Sequence, residues 1–187
     1  MSTSTLRTTA ELEAALDHLR GAPTDEGSLS LVVRRPEHAT REILDEGVLD
    51  PVDGLVGDNW LSRATSRARA AGRHFDAQVT VMSSRMVHLL ADSDPERVMA
   101  GDQLYVDLDL SHDHLPAGTR IAVGAHAVLE VSAKPHAGCQ KFLARFGPDA
   151  VAFVNSEEGT RLRLRGLNAR IVAGGVVRPG DVVRRLA

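Results

Sequence analysis

The sequence predicts a mainly β protein, an antiparallel barrel or sandwich with a few short helices inserted and one at the N-terminus. Three observations point there. Aromatic residues make up only 3% of a chain that is 43% apolar, so the core must be assembled from Val, Leu, Ala and Ile, and β-branched side chains pack well on a pleated surface. From Gly101 onward, short alternating segments follow one another with turn residues between them, as in barrels and sandwiches. These segments do not alternate with helices in repeated βαβ units. At 187 residues one compact domain is expected, with residues 1–27 as an N-terminal helix and linker and 28–187 as the β domain.

Thr8 and Glu11 have capping-box spacing, and Leu12, Ala15, Leu16 and Leu19 recur at helical intervals before Gly21, which predicts a short amphipathic helix. "SLSLVVRRP", residues 28–36, reads as a strand ended by proline. Residues 38–60 read as a helical turn within a long loop rich in Asp and Gly, and "LSRATSRARAAGR", residues 61–73, as an exposed connector or an anion-binding loop. "AQVTVM" alternates like a strand, with Ser83 or Ser84 placed to cap a helix through "RMVHLLA". "QLYVDLDL", "TRIAVG", "HAVLEVSA", "NARIVAGG" and "DVVRRL" complete the strands. "GCQKFLARFG" and "PDAVAFVNS" predict one or two helices between them.

Composition excludes several function classes. The N-terminus lacks the apolar core of a signal peptide, and no apolar run is long enough to span a bilayer, so a cytoplasmic protein without membrane contact is expected. A lone cysteine forms no intrachain disulfide and fits a reducing compartment. Residues 140–187 carry nine Lys and Arg against four Asp and Glu, whereas residues 1–139 carry 13 against 21. The acidic majority and the lack of basic runs interleaved with aromatics argue against a nucleic-acid partner.

The chain has 20 arginines and only two lysines, and both lysines flank its one thiol in "SAKPHAGCQKF". Pro135 and Gly138 set a turn before a helical stretch, which places Cys139 near a helix N-terminus, where free N–H groups favour a thiolate. His136, Lys141 and Arg145 would add cationic surroundings that lower the thiol from about 8.5 toward neutrality. A buried cysteine acting as a small hydrophobe accounts for the residue equally well. His136 and Cys139 are not matched by a second pair at zinc spacing, and "SHDHL", residues 111–115, reads as a polar turn. "RLRLR", residues 161–165, reads as an alternating strand with leucines inward, or as an anion-binding row. "GLVGDNW", residues 54–60, reads as a turn closed by Asp58 and anchored by Trp60, or as a loop lining a site.

Taken in order, "GLVGDNW", "AGDQLYVDLDLS", "VLEVSAKPHAGCQKF" and "RLRGLNARIVAGGVVRPGD" resemble the MOSC domain family, stand-alone bacterial relatives of the C-terminal domain of molybdenum cofactor sulfurase. The resemblance spans residues 28–186. It implies a β-barrel and a cysteine, Cys139, that carries sulfur as a persulfide or ligates molybdenum in the pterin cofactor. It also suggests Lys141, Arg145, Arg161, Arg163 and Arg165 as phosphate donors, His136 beside the cofactor, Asn155 and Asn168 at the pterin edge, and Asp58 in the binding loop. Asp102, Gln103 and Leu104 depart from the family's usual acidic-Asn-Leu run. The chain has no room for the extra N-terminal barrel of the amidoxime-reducing members. The pyridoxal-phosphate domain of the sulfurases is also absent, so covalent pyridoxal phosphate on Lys134 or Lys141 is not expected. The expected function is therefore molybdenum cofactor binding in sulfur-transfer or reduction chemistry. A sulfur-donating desulfurase or an electron donor is the implied partner. A metal-free persulfide carrier, or a binding module with a structural cysteine, are the alternatives.

Overall fold

A computed structural model describes residues 5–186. In chain order the elements are α1 (Thr9–Ala14), α2 (Leu16–Arg20), β1 (Glu26–Arg34), β2 (Glu42–Leu44), β3 (Gly47–Asp50), β4 (Gly54–Leu55), α3 (Trp60–Arg63), α4 (Ser66–Ala70), β5 (Val79–Ser83), α5 (Ser84–Leu90), α6 (Asp94–Arg97), β6 (Leu104–Asp107), β7 (Arg120–Val123), β8 (Ala127–Val131), α7 (Gln140–Asn155), α8 (Glu157–Arg161), β9 (Leu167–Ala173), β10 (Gly175–Val177) and β11 (Val182–Arg185). Seven strands close on themselves in the order β11-β7-β8-β9-β5-β6-β1, and β1 pairs back with β11. The result is a mainly β closed barrel with several short helices, a MOSC-like fold. Neighbouring pairs are antiparallel except β5 and β6, which α5 and α6 join by the crossover that a parallel pair requires.

Period two sorts the core into two layers. Leu29, Val32, Val79, Val81, Leu104 and Val106 point into the barrel with Ile121, Leu129 and Ile171. On the opposite faces of the same strands, Leu31, Val33, Met82 and Tyr105 pack against helical residues Leu12, Met86, Phe142 and Phe146. Strands β1, β5 and β6 are thus buried on both sides, which explains their nearly continuous apolar runs. The Thr8–Glu11 capping box forms. The N-terminal helix breaks at Ala15 into α1 and α2, and Leu12 is fully buried in the outer layer, so this segment packs on the helical side of the barrel.

Three expectations are corrected. Residues 38–60 hold no helical turn before Trp60: β3 pairs with β10 and β4 in a small separate sheet, and β2 extends the barrel at β1. The runs there are too short for periodicity to reveal. Residues 61–73 carry most of α3 and all of α4, the latter capped by Thr65, where Arg and Ala favour helix locally. "RLRLR" is not a strand. Its residues leave α8 through a turn in which Leu162 N donates to Glu158 O and Leu164 N to Gly159 O, and Arg163 takes a left-handed φ of 50°.

Candidate functional site

Cys139 is the N-cap of α7, with extended φ and ψ of −119° and 178°. Burial in an apolar core is excluded, because the thiol is exposed. Three side chains hold the segment that delivers it from β8. Asn168 Nδ2 donates to Lys134 O at 3.2 Å and Pro135 O at 3.0 Å. Asn155 grips Gly138 twice, its Oδ1 accepting from Gly138 N at 2.8 Å and its Nδ2 donating to Gly138 O at 3.1 Å. His136 Nε2 meets Asp102 Oδ1 at 2.8 Å. The two asparagines expected at a pterin edge therefore spend their amides positioning the cysteine segment. Asn155 reaches Gly138 because α7 is bent: Gly147 has a left-handed φ of 84° and Pro148 follows it, which breaks the helical ladder.

Six cations line a cavity of about 240 Å³ together with Cys139: Arg35, Arg41, Arg63, Lys141, Arg145 and Arg165. Glu37 is the one carboxylate in its wall. Two arginines are held from behind. Arg35 donates from Nε and Nη2 to Asp58, both at 2.8 Å, and from Nη1 to Gly101 O. Arg165 donates from Nη1 to Asp102 Oδ2 at 2.6 Å and from Nη2 to Ala100 O, and its guanidinium lies 5.0 Å over the Phe142 ring. Arg145 donates to Met99 O. Burial lowers the Arg41 pKa, and its neighbours Arg145, Arg35 and Arg63 lower it further, as expected where like charges crowd. Arg41 Nε, Asn59 Oδ1 and Arg165 Nε are buried here without a hydrogen-bond partner. Two orphan donors and one orphan acceptor in one cavity fit a polar ligand.

Burial raises the Cys139 thiol, but the Phe142 and Lys141 backbone N–H groups and the Arg165 and Lys141 charges outweigh it, so the thiol titrates below its ordinary value. No side-chain cap bond reaches Sγ, so these N–H groups act as nearby dipoles rather than as regular donors. This arrangement favours ionisation of an exposed thiol at the mouth of a positively charged cleft.

Asp58 stands behind the cavity. It accepts from Arg35 N, Arg35 Nε and Nη2, and Trp60 N, so its carboxylate is fully used within the protein. Trp60 is buried, donates from Nε1 to Asp53 O at 2.6 Å, and covers Gly54, where a Cβ would meet the indole at 2.0 Å. "GLVGDNW" is thus a structural turn that aims Arg35. Arg163 and Asn155 line a different cavity from Cys139. Exposed Arg161 pairs with Glu158 and Asp113, and "SHDHL" forms the expected turn. Sequence reading missed Arg35, Arg41 and Asn59, and reached Arg63 only through the alternative of an anion-binding loop over residues 61–73. The one available signal was the density of arginine in "VVRRP" and in residues 61–73. No group of three or more His, Cys, Asp or Glu suited to a metal occurs among the described residues.

No protein-family model matches the chain, and no curated protein matches it. Solved structures do. The YuaD protein from Bacillus subtilis superposes with a TM-score of 0.55 at 17% identity, over 84% of this chain and 94% of YuaD. YiiM from Escherichia coli gives 0.53 at 18%, over 86% and 70%, and YiiM from Geobacillus stearothermophilus 0.51 at 13%, over 89% and 75%. The barrel is the fold these proteins share with this chain. No helix among the described residues is long and apolar enough to cross a membrane.

Proposed function

We propose that this protein is a MOSC-type protein that binds the molybdenum cofactor through Cys139, in cofactor-dependent reduction or sulfur-transfer chemistry. The observation that carries the reading is the pairing of a lowered, exposed thiol with a cavity whose cations outnumber its carboxylates and whose buried donors lack partners. The residues fit the group. A soft thiolate suits molybdenum beside the pterin's dithiolene sulfurs, and Arg41, Arg63, Lys141 and Arg145 suit a phosphate. An adjoining cavity of about 460 Å³ shares Arg35, Arg63, Thr80 and His136, and the two together reach the size usual for a cofactor site, roughly 300–1,000 Å³. When bound, the cofactor supplies a redox-active metal. Cys139 would ligate it, Arg41, Arg63, Lys141 and Arg145 would neutralise its phosphate, and the surroundings that lower the thiol would favour the ligating thiolate. An electron-donor protein or a desulfurase would supply the second partner.

Exposure of Cys139 favours a second reading, a persulfide carrier. The thiolate attacks the terminal sulfur of a donor persulfide, a new S–S bond forms at Cys139, and the donor leaves as its own thiolate. Intact mass and metal analysis of protein from a cofactor-competent host, beside Cys139→Ser, separate the two. Stoichiometric molybdenum lost in the variant is the expected result. A reducible addition of about 32 Da without metal supports the carrier, and neither signal on wild type sinks both.

A further inference from the structure

A second cationic cavity, of about 260 Å³, shares His136 and Arg165 with the cysteine cavity but does not include Cys139. Lys134, Arg163 and the imidazole of His112 also line it, and no carboxylate does. Arg163 is only 8% exposed. Its Nη1 donates to Leu110 O at 3.2 Å and Leu115 O at 2.5 Å, while no protein acceptor takes Nε or Nη2 and no carboxylate pairs with it among the described residues. The Lys134 ammonium likewise has no ion-pair partner there. A buried guanidinium without a counter-charge is costly, and Arg163 itself takes a left-handed φ of 50°, which is strained for a residue other than glycine. Two free N–H edges beside a free ammonium match a dianionic tetrahedral oxyanion, which arginine binds through paired hydrogen bonds.

We infer that this cavity is a second oxyanion site, taking a phosphate group, free or as a small monoester, on Arg163 and Lys134. It borders the thiol site, sharing His136 and Arg165 with the cysteine cavity and Lys134 with the cavity adjoining that one, whereas Arg163 and His112 line only this cavity among the three. The pKa of His112 is lowered by burial first and by Arg163 second, so its ring protons report an anion arriving beside Arg163.

The test is an NMR titration of the His112 ring with inorganic phosphate and, separately, with glycerol phosphate, against chloride at equal ionic strength. Phosphate should move the His112 midpoint upward at saturation, and the ester arm shows whether a free or an esterified group binds better. Lys134→Ala, an exposed position whose replacement leaves the fold intact, should weaken binding about two- to fivefold, and Arg163→Gln about tenfold or more. Cys139→Ser and Arg41→Ala should leave the His112 response unchanged. No midpoint movement with either probe overturns the inference. So does equal binding by Lys134→Ala and wild type, or loss of the response in Arg41→Ala, which would place the anion in the cysteine cavity.

Discussion

Asp58 and Asp102 are both fully buried, and each stands behind an arginine that lines the cysteine cavity. Asp58 spends its oxygens on Arg35, on the backbone N–H groups of Arg35 and Trp60, and on a longer bond from Gln103 Nε2, welding the 54–60 turn to β1. Asp102 divides its oxygens between Arg165, on the turn after α8, and His136, on the cysteine segment. One carboxylate is a fixed brace, whereas the other ties the thiol's own segment to a second part of the chain through an imidazole. Equal burial and equal charge therefore give unequal reach. What differs is whether the partners belong to the element that carries the reactive atom.

The largest expected effect tests that contrast directly. Asp58→Ala and Asp102→Ala should each cost about 3–5 kcal/mol in urea unfolding, because each leaves a buried arginine without its counter-charge. Only Asp102→Ala should also change the pH profile of Cys139 alkylation. An equal change in Asp58→Ala would erase the distinction.

A smaller effect is expected in acid. Burial alone would raise Asp102, but Arg165 and His136 hold it at about 2, below its ordinary 3.8. The unfolded chain therefore takes up the proton first as pH falls. The stabilisation is complete above about pH 4 and is lost between there and about 2, amounting to roughly 2 kcal/mol. Asp102→Asn should show a flatter dependence of stability on pH in that window. An unchanged slope would mean that Asp102 is not the group titrating.

The smallest effect concerns Lys141. Removing this exposed charge with Lys141→Ala should raise the thiol's alkylation midpoint by roughly a few tenths of a pH unit, since the N–H groups of α7 and Arg165 remain. A shift of more than one unit would mean that the ammonium, rather than the helix terminus, controls the thiolate.

The barrel strands after Gly101 were legible because alternation in short segments is a local signal, and so was the placement of Cys139 at a helix start. The arginines that make the cavity were not. Arg35, Arg41 and Arg63 come from a strand end, a loop and a short helix far from Cys139 in sequence, and only barrel closure brings them together. "RLRLR" misled for a specific reason: a period of two describes side-chain chemistry, whereas the backbone there continues the hydrogen bonding of α8 into a left-handed turn. Asn155 and Asn168 were expected at a pterin edge and instead bond the backbone of the cysteine segment; amides that recognise a ligand and amides that recognise a backbone look alike in a sequence.

The bend at Gly147 and Pro148 fixes the length of what surrounds it. A straight helix of 16 residues would carry its ends about 24 Å apart, yet Asn155 holds Gly138. The two arms of α7 act as a clasp that closes only at one setting. Adding or removing a single residue in either arm would turn Asn155 by about 100° around its axis and release the cysteine segment. This stretch should therefore accept substitutions on its outer surface far more readily than any change in the number of its residues.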